Sequence, residues 1–322
     1  MTKQRAWIGF WILALIWGSS FLFIRIGVEQ LTTFQVVFIR TLIAAIGLNI
    51  VAYARGKHLP TDWKGIRDLL ILGIVNTVFP FVLITWGEKS IESSLAAILQ
   101  GTAALFTMVV AHFVFLDERM TTRKIVGLII GFLGVIILAS RSTDGEVIPA
   151  DATLHLLGQL AIVAASFCYA LGGTYSRKAI QNHIEPIIAA AGAMTVTAII
   201  SGILTYVAPL LGGPSPTPLG TLTPRVIGAM LALGLVNTFI AYIIFYALIP
   251  VLGAARTSMV TYVIPAVGLI LGAIFLGEAV DIRLLIGAAM IMGSIGIVNL
   301  KFGNIFRRAP APQPQVVNDG TT

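Results

Sequence analysis

Arg40 is the residue whose type and position most clearly suggest chemistry, because it is a basic residue well inside a long apolar stretch, residues 34–53. If that stretch is a membrane helix, an arginine near its centre costs roughly 2.5–3.5 kcal/mol. About six residues from the nearer end, it would lie about 9 Å deep. A guanidinium there can bind a carboxylate. Alternatively, its long side chain snorkels to the headgroups, or it is purely structural.

Three amides inside apolar stretches form a second group of candidate binding residues. Asn76 and Asn237 occupy the same place in two similar hexapeptides, LGIVNT at 72–77 and LGLVNT at 233–238, and Gln100 lies in another apolar stretch. Polar amides in hydrocarbon need hydrogen-bond partners. They therefore either cross-link helices or line a cavity.

Aromatic residues with a polar tip form the third group. Tyr242 and Tyr246 are four positions apart and so share one helix face. The tyrosines that we expect in a binding site are Tyr169, Tyr242, Tyr246 and Tyr262, and Trp17, Trp86 and Tyr175 are further candidates. Several of these residues could instead form belts at the membrane surface, as expected above all for Trp86.

The positions of the acidic residues, the histidines and the single cysteine argue against catalytic and metal chemistry. All 14 aspartates and glutamates lie in loops, in tails or at the ends of apolar stretches, so no embedded proton-binding carboxylate is predicted. The four histidines are scattered and Cys168 is the single cysteine. We therefore expect no catalytic residue, no metal and no cofactor. His112 either titrates or is a satisfied histidine at the membrane surface.

Amino-acid composition indicates that these residues lie in a lipid bilayer rather than in water. Of the 322 residues, 57% are hydrophobic and 11% are charged, whereas a soluble domain has about 25% charged residues. Several uncharged runs match the roughly 20 residues that a helix needs to cross a bilayer. The sequence predicts an all-α membrane protein, because a barrel would show short alternating strands. The ten predicted transmembrane helices are 7–25, 34–53, 69–87, 93–115, 123–140, 156–175, 186–207, 226–248, 254–277 and 283–301.

The distribution of lysine and arginine orients the chain. Most of these residues fall in segments on the same side as the N-terminus, so both termini are predicted to be cytoplasmic. The basic segments on the cytoplasmic side face anionic lipid headgroups, which explains the net charge of +7. We therefore expect no nucleic-acid partner. Residues 302–322 are predicted to be a disordered tail. Short loops and the lack of a targeting peptide favour a bacterial inner membrane.

Two halves of the chain repeat each other. LDERMTTRKIVG at 116–127 and LGEAVDIRLLIG at 276–287 share Leu, Glu, Arg and Gly at the same four places, and the two hexapeptides match in the same order. Five helices in each half bring the second half into the membrane from the opposite side. We therefore predict inverted five-helix repeats at 7–140 and 156–301, an arrangement that suits a midplane site open to either side in turn.

The repeated turns, two prolines and several glycines predict local geometry. We expect the pairs Glu118–Arg123 and Glu278–Arg283 to fix the turns, although exposed pairs contribute ~1 kcal/mol or less. Pro80 and Pro265 either shape their helices or act as hinges. Glycines permit close helix approach, by default within one chain and alternatively at a homodimer face. These glycines are Gly127, Gly131, Gly134, Gly268 and Gly272.

The sequence resembles the drug/metabolite transporter superfamily, in particular its ten-helix family with two EamA domains. The motifs that resemble it are WGSSF at 17–21, FIRTLIAA at 38–45, YVIPAVGLILGAIFLGE at 262–278 and the two L-x-E…G turns. The resemblance covers about residues 7–301. Two positions depart from a strict repeat. No proline near Leu105 corresponds to Pro265, and Gly192 stands where the first half has Arg40.

The resemblance implies a secondary transporter that moves small organic solutes, often by export of amino acids or related metabolites. Without an embedded carboxylate, we expect facilitated diffusion or exchange rather than tight proton antiport. The alternatives are an integral-membrane enzyme, which would need a clustered acid, histidine or metal set, and a non-transporting membrane partner, which would need a docking domain.

Overall fold

The computed structural model describes residues 2–115, 119–140, 149–182 and 184–299, and within these ranges the chain forms helices and their connections without a strand. Ten helices follow in chain order: α1 (Lys3–Gly27), α2 (Thr33–Ala54), α3 (Trp63–Gly87), α4 (Ser93–Val114), α5 (Thr122–Ala139), α6 (Pro149–Asn182), α7 (Pro186–Leu211), α8 (Pro224–Leu252), α9 (Arg256–Leu276) and α10 (Ile282–Asn299). In the described residues, nine of these helices hold a span long and apolar enough to cross a membrane, and α10 is a shorter apolar helix. The protein is an all-α integral membrane protein with the ten predicted helices. The predicted tail, 302–322, lies outside the described residues.

Helix α3 begins earlier than the predicted boundary at residue 69, because charged residues form its first turns. Asp62 caps the helix, with a carboxylate oxygen that accepts from the backbone amide of Gly65 at 3.0 Å. Asp68 is only 3% exposed, and its carboxylate accepts from Arg67 at 2.9 Å and from the hydroxyl of Tyr175 at 2.7 Å. A boundary drawn from hydropathy excludes such charges, whereas the fold neutralises them in place.

Helix irregularities occur at equivalent places in the two halves. The hexapeptide at 72–77 overlaps the π-helical segment Ile74–Val78 in α3, and the one at 233–238 lies within the π-helical segment Ala232–Ile240 in α8. Helix α4 is interrupted at Gly101, and α9 contains the 3₁₀ segment Met259–Tyr262. Such segments often mark functional positions and hinges. The halves therefore share their deviations from ideal helix as well as their sequence.

Pro80 and Pro265 lie directly after irregular segments. Pro80 is in the first turn of the α-helical segment Phe79–Gly87, and Pro265 is in the first turn of Ile264–Leu276. Because the irregular segments run directly into these α-helical segments, each proline removes one backbone hydrogen bond inside a continuous helix. The first half, without a proline near Leu105, interrupts α4 with Gly101 instead. Both prolines lie at helix irregularities, and the hinge role stays a prediction.

Helix contacts follow a two-fold pattern between the halves. Helix α2 packs against α7, α4 against α9 and α5 against α10, so each of these helices contacts its counterpart. Helix α1 contacts α8 and α9, and its counterpart α6 contacts α3 and α4. The repeats therefore interlock around a common centre rather than forming two separate bundles.

One end of the bundle, here called the Lys57 end, brings together the end of α2 and the start of α7. Lys57 Nζ lies 2.6 Å from Glu185 Oε1. At the same end, the guanidinium of Arg177 lies 4.3 Å from the ring centre of Phe115, which directly follows α4. The turn after α4 therefore starts at the Lys57 end.

The opposite end, here called the Glu88 end, contains the turn after α9. Glu278 accepts from the backbone amides at the start of α4, and Arg283 Nη1 donates to the carbonyl of Ser140 at 2.9 Å. Because α4 runs from this end to the Lys57 end, the equivalent turns lie at opposite ends of the bundle. The two repeats are inverted, as predicted.

Glycines allow close packing between helices of the same chain. A methyl group added at Gly127, Gly131 or Gly134 would collide with α10 or with Leu105 of α4, and one at Gly268 would collide with Ala97. These glycines serve packing inside the chain, so the alternative of a glycine dimer face is wrong for them. A homodimer stays a prediction.

Candidate functional site around Arg40

Arg40 lies inside the bundle, with 6% of its surface exposed. Its Nε and Nη2 atoms lie 3.4 and 3.3 Å from the hydroxyl oxygen of Thr238. The guanidinium carbon lies 4.0 Å from the ring centre of Phe81, a favourable cation–π distance. The side chain does not snorkel to the headgroups, so that alternative is wrong. Within the described ranges, no carboxylate forms an ion pair with Arg40.

The π segment of α8 prepares the contact between Thr238 and Arg40. The Thr238 hydroxyl donates to the carbonyl of Leu233 at 2.8 Å, five residues earlier. Its proton is therefore used within the helix, and its lone pairs are available to the guanidinium. The remaining guanidinium donors have no acceptor of their own among the described residues.

Three of the predicted tyrosines gather near Arg40. Tyr169 and Tyr242 lie within electrostatic range of the guanidinium, and the rings of Tyr242 and Tyr246 are 6.0 Å apart. All three pack against one cluster that includes Phe81 and Met194. Trp17 adds an edge contact with Tyr242 at 6.2 Å.

The tyrosine hydroxyls are polar groups without protein partners. None of those of Tyr169, Tyr242 and Tyr246 forms a hydrogen bond with another described residue, and none is among the fully enclosed unpaired atoms. These side chains are partly buried. Arg40 and the hydroxyls therefore form a polar set with unused hydrogen-bonding capacity inside the bundle, next to the apolar faces of Phe81 and Trp17.

The two equivalent asparagines have different environments. Asn237 is buried and its amide nitrogen donates to the carbonyl of Ile16, to the hydroxyl of Ser19 at 2.9 Å and to that of Ser20 at 3.2 Å. This nitrogen cross-links α8 to α1, which is one of the two roles that the sequence allowed, whereas the Oδ1 atom is buried with no partner among the described residues. A substrate-binding role for Asn237 stays a prediction. Asn76 is partly exposed, packs against Gly172 and has no hydrogen-bonding partner among the described residues.

Gln100 and Tyr262 lie at the interrupted parts of α4 and α9. Gln100 precedes the break at Gly101, and its Oε1 atom is buried with no partner in the described ranges. Tyr262 ends the 3₁₀ segment of α9 and packs, with Tyr169, against the large core cluster that contains Ile98. A substrate role for both residues stays a prediction.

The predicted turn pair Glu278–Arg283 is wrong. The carboxylate of Glu278 accepts from the backbone amides of Ser93 at 2.7 Å and Ser94 at 2.8 Å. It caps the N-terminus of α4, where orphan amides and the helix dipole favour a negative charge. Arg283 binds the carbonyl of Ser140 instead. Glu118 lies outside the described residues, so its pair with Arg123 stays a prediction.

Comparison with known proteins assigns this chain to a family. The profile of the EamA-like transporter family matches residues 5–140 and 156–300. The chain belongs to the EamA-like transporter family. It is an integral membrane protein of a family of transporters, and it has the inverted repeats that the resemblance implied.

Relatives of this EamA-like protein are transporters by name. An uncharacterised transporter of Archaeoglobus fulgidus is 29% identical, and the match covers 92% of this chain and 99% of that protein. A probable amino-acid metabolite efflux pump of Salmonella typhimurium is 27% identical, with 89% and 92% covered. A crystal structure with a TM-score of 0.63 and 19% identity covers 92% of this chain and 97% of that chain, which shows the shared fold.

A cavity opens into this EamA-like protein at the Lys57 end, between α3, α4 and α6. Its volume is about 380 Å³. Its inner wall includes Leu171 and Thr174, close along α6 to Tyr169. Its mouth is lined by Lys64, Arg67, Asp68, Tyr175 and Lys178. The cavity therefore has a largely basic rim, and Arg40, Tyr169 and Tyr242 are not among its lining residues.

Glu88 is a buried acid that sequence reasoning missed. It directly follows α3, yet it is 0% exposed, because the connection to α4 folds inwards against α1. Burial raises the pKa of Glu88 well above its ordinary value, with Glu278 adding to the rise and Arg25 and Arg40 opposing it. Glu88 lies at the end of a membrane span, as the sequence indicated for every acid, but its burial there was not expected. The sequence around an acid at the end of an apolar stretch does not show whether the following loop packs against another helix.

Proposed function

We propose that this EamA-like protein is a secondary transporter that binds the carboxylate of a small organic solute at Arg40 and moves it by alternating access. The observation that supports the proposal is a buried guanidinium without a carboxylate partner in the described ranges, surrounded by unpaired tyrosine hydroxyls. A cation in that position costs free energy unless a ligand neutralises it. The inverted repeats suit a central site that is presented to each side in turn.

The side chains around Arg40 favour an amino acid or a related metabolite. A guanidinium binds a carboxylate through charge-assisted, often bidentate hydrogen bonds. Tyr169, Tyr242 and Tyr246 offer hydroxyls to a second polar group, such as an amine or amide, and Phe81 and Trp17 offer apolar surface to a side chain. The name of the Salmonella typhimurium relative supports this solute class and the export direction.

The Lys57 end is the cytoplasmic end in this proposal, with both termini on that side. The lysines and arginines that favour this orientation include those at the mouth of the cavity, Lys64, Arg67 and Lys178. In this orientation, solute enters from the cytoplasm through that cavity and leaves at the Glu88 end. A bacterial inner membrane fits this arrangement.

A counterflow experiment in proteoliposomes tests the proposal. Vesicles that contain the purified protein are loaded with one unlabelled amino acid at a time, and entry of the labelled amino acid is compared with entry of the amine that lacks its carboxylate. We expect exchange of at least one amino acid and no exchange of its amine. Arg40→Gln should weaken apparent affinity by about tenfold to a hundredfold, which corresponds to the loss of a hydrogen bond to a charged group.

Arg225→Gln is the matched control, because Arg225 is exposed and pairs with Glu29 at 3.5 Å. Arg40→Lys separates charge from geometry, since lysine keeps the charge but not the bidentate contact. Unchanged affinity in Arg40→Gln, equal exchange of acid and amine, or no exchange of any amino acid would contradict the proposal.

A further inference from the structure

The carboxyl group of Glu88 has an unusual environment at the Glu88 end. The side chain is fully buried, and neither carboxyl oxygen has a hydrogen-bond partner in the described residues. The basic side chain of Arg25 on α1 donates from Nη1 to the backbone carbonyl of Glu88 rather than to the carboxyl group. Among the residues that the structure describes, this acid therefore has neither an ion-pair partner nor a hydrogen-bond donor.

The charged groups that face Glu88 come from three elements. Arg25 lies on α1, Arg40 on α2, and Glu278 on the connection between α9 and α10. The carboxylate of Glu278 is held by two backbone amides of α4, so it is satisfied as an anion. Lys89, the next residue, is exposed. A second anion at Glu88 would lie near the first without a hydrogen bond of its own.

An ionised Glu88 is thus disfavoured in this arrangement. An unpaired carboxylate removed from water costs several kcal/mol in real proteins, and the usual response is to bind a proton. The raised pKa of Glu88, caused mainly by burial, agrees with the geometry. When the loop opens to water, the pKa of the same group should return towards its ordinary value.

We propose that Glu88 is the proton-binding residue of this transporter, neutral while the Glu88 end is closed and ionised when that end opens. On opening, the O–H bond of the acid breaks, the proton passes to water and the electron pair stays on the carboxylate. On closing, the carboxylate takes a proton back. Each opening and closing of this end thereby exchanges one proton with the adjoining compartment. The inference rests on the proposed alternating access and adds a proton to it.

The sign of the pH dependence follows from linkage. Because the pKa of Glu88 is higher in the closed form than in the open form, closure is fully favoured below the ordinary carboxyl pKa. It is lost progressively as pH rises through the higher pKa of the closed form. Raising the pH should therefore open the Glu88 end, and substitution by glutamine should remove this dependence.

A buried reporter measures the opening without a known solute. Ser94 is fully buried at the start of α4 and its hydroxyl has no partner in the described residues, so Ser94→Cys is a nearly isosteric change. The native thiol is removed with Cys168→Ser, and the rate of modification by a membrane-impermeant maleimide is measured in detergent at about pH 5 to about pH 8. The same measurement in the Glu88→Gln background supplies the intrinsic pH dependence of the thiol reaction.

We divide the modification rate measured with Glu88 by the rate measured with Glu88→Gln. This ratio should rise with pH, by up to about tenfold for each unit by which the pKa of Glu88 in the closed form exceeds that in the open form. Glu29→Gln, an exposed acid at the same end, should leave the profile unchanged. An infrared band of a protonated carboxyl group at a pH above the ordinary carboxyl pKa, present in the unaltered protein and absent in Glu88→Gln, is the second expected result. This band requires no opening and no substrate.

The outcomes separate the two proposals. Amino-acid exchange together with a flat ratio, or with no labelling at any pH, overturns the role of Glu88 and leaves the proposed function standing. A ratio that rises with pH in a protein that exchanges no amino acid supports the acid and contradicts the solute class. Absence of the carboxyl band at all accessible pH values overturns the assignment of a neutral Glu88.

Discussion

Arg40 of α2 and Thr238 of α8 meet across the boundary between the two repeats, with the guanidinium Nη2 atom 3.3 Å from the threonine hydroxyl oxygen. The arginine belongs to the first repeat, and the threonine belongs to the π segment of the second. Their equivalents do not form such a contact, because Gly192 replaces the arginine and Thr77 bonds to Thr197 at 2.6 Å. One cationic side chain therefore makes the centre of an otherwise two-fold arrangement asymmetric.

Substitution of Thr238 tests this link. Thr238→Val keeps the shape of the side chain but removes the acceptor of a buried guanidinium, which should destabilise the protein by about 1.5–3 kcal/mol. Thr238→Ser keeps the hydroxyl and serves as the control. Thermal unfolding in detergent is the measurement. Equal unfolding midpoints for the two variants would show that the contact does not hold Arg40.

The equivalent asparagines should differ in their effect on stability. Asn237→Ala removes an amide that donates to α1 at three oxygens, and we expect a loss of about 1–3 kcal/mol. Asn76→Ala removes an amide without such partners among the described residues and should alter stability by less than about 0.5 kcal/mol. Unfolding midpoints measured side by side decide this point. A larger loss for Asn76→Ala would contradict the described environments.

Glu278 should matter more than an exposed acid, because it caps a buried helix end. Glu278→Gln weakens two charge-assisted hydrogen bonds to α4, at an expected cost of about 0.5–2 kcal/mol. Glu185→Gln breaks the exposed contact with Lys57, which should cost ~1 kcal/mol or less. The difference between the two should persist at high salt, since salt screens the exposed pair more than the cap. A loss of stability in Glu278→Gln that salt abolished would indicate an ordinary surface charge.

Much of the architecture could be predicted from the sequence, because hydropathy and internal repetition are properties of the chain itself. The ten helices, their inverted repeats and the separation of the two turns follow from apolar length and from matched motifs. The importance of Arg40 and of its neighbouring tyrosines also follows, since a basic residue deep in an apolar helix must find partners inside the protein.

Other features depend on contacts between distant segments. Glu278 reaches α4 because Gly277 turns the chain with φ +66° and Gly272 leaves space for the carboxylate. The spacing of Glu278 and Arg283 suggests a local pair and contains no information about that longer contact. Burial of Glu88 likewise requires the loop to pack against α1, and Asn76 and Asn237 are indistinguishable in their hexapeptides. Local sequence specified the residue types, and tertiary packing decided their partners.

The unequal hydrogen bonding of Asn76 and Asn237 has a consequence for the energetics of the proposed cycle. Asn76 already packs against Gly172 of α6. Where α1 has Ser19 and Ser20, α6 has Leu171 and Gly172, which lack hydroxyls, so an exchange of arrangements cannot give Asn76 the bonds that Asn237 has. The two arrangements therefore differ in energy, and the empty carrier has a preferred resting orientation. That preference makes one half of the cycle slower than the other. A preferred orientation alone cannot make the carrier accumulate solute, because forward and reverse fluxes must balance when both compartments are alike.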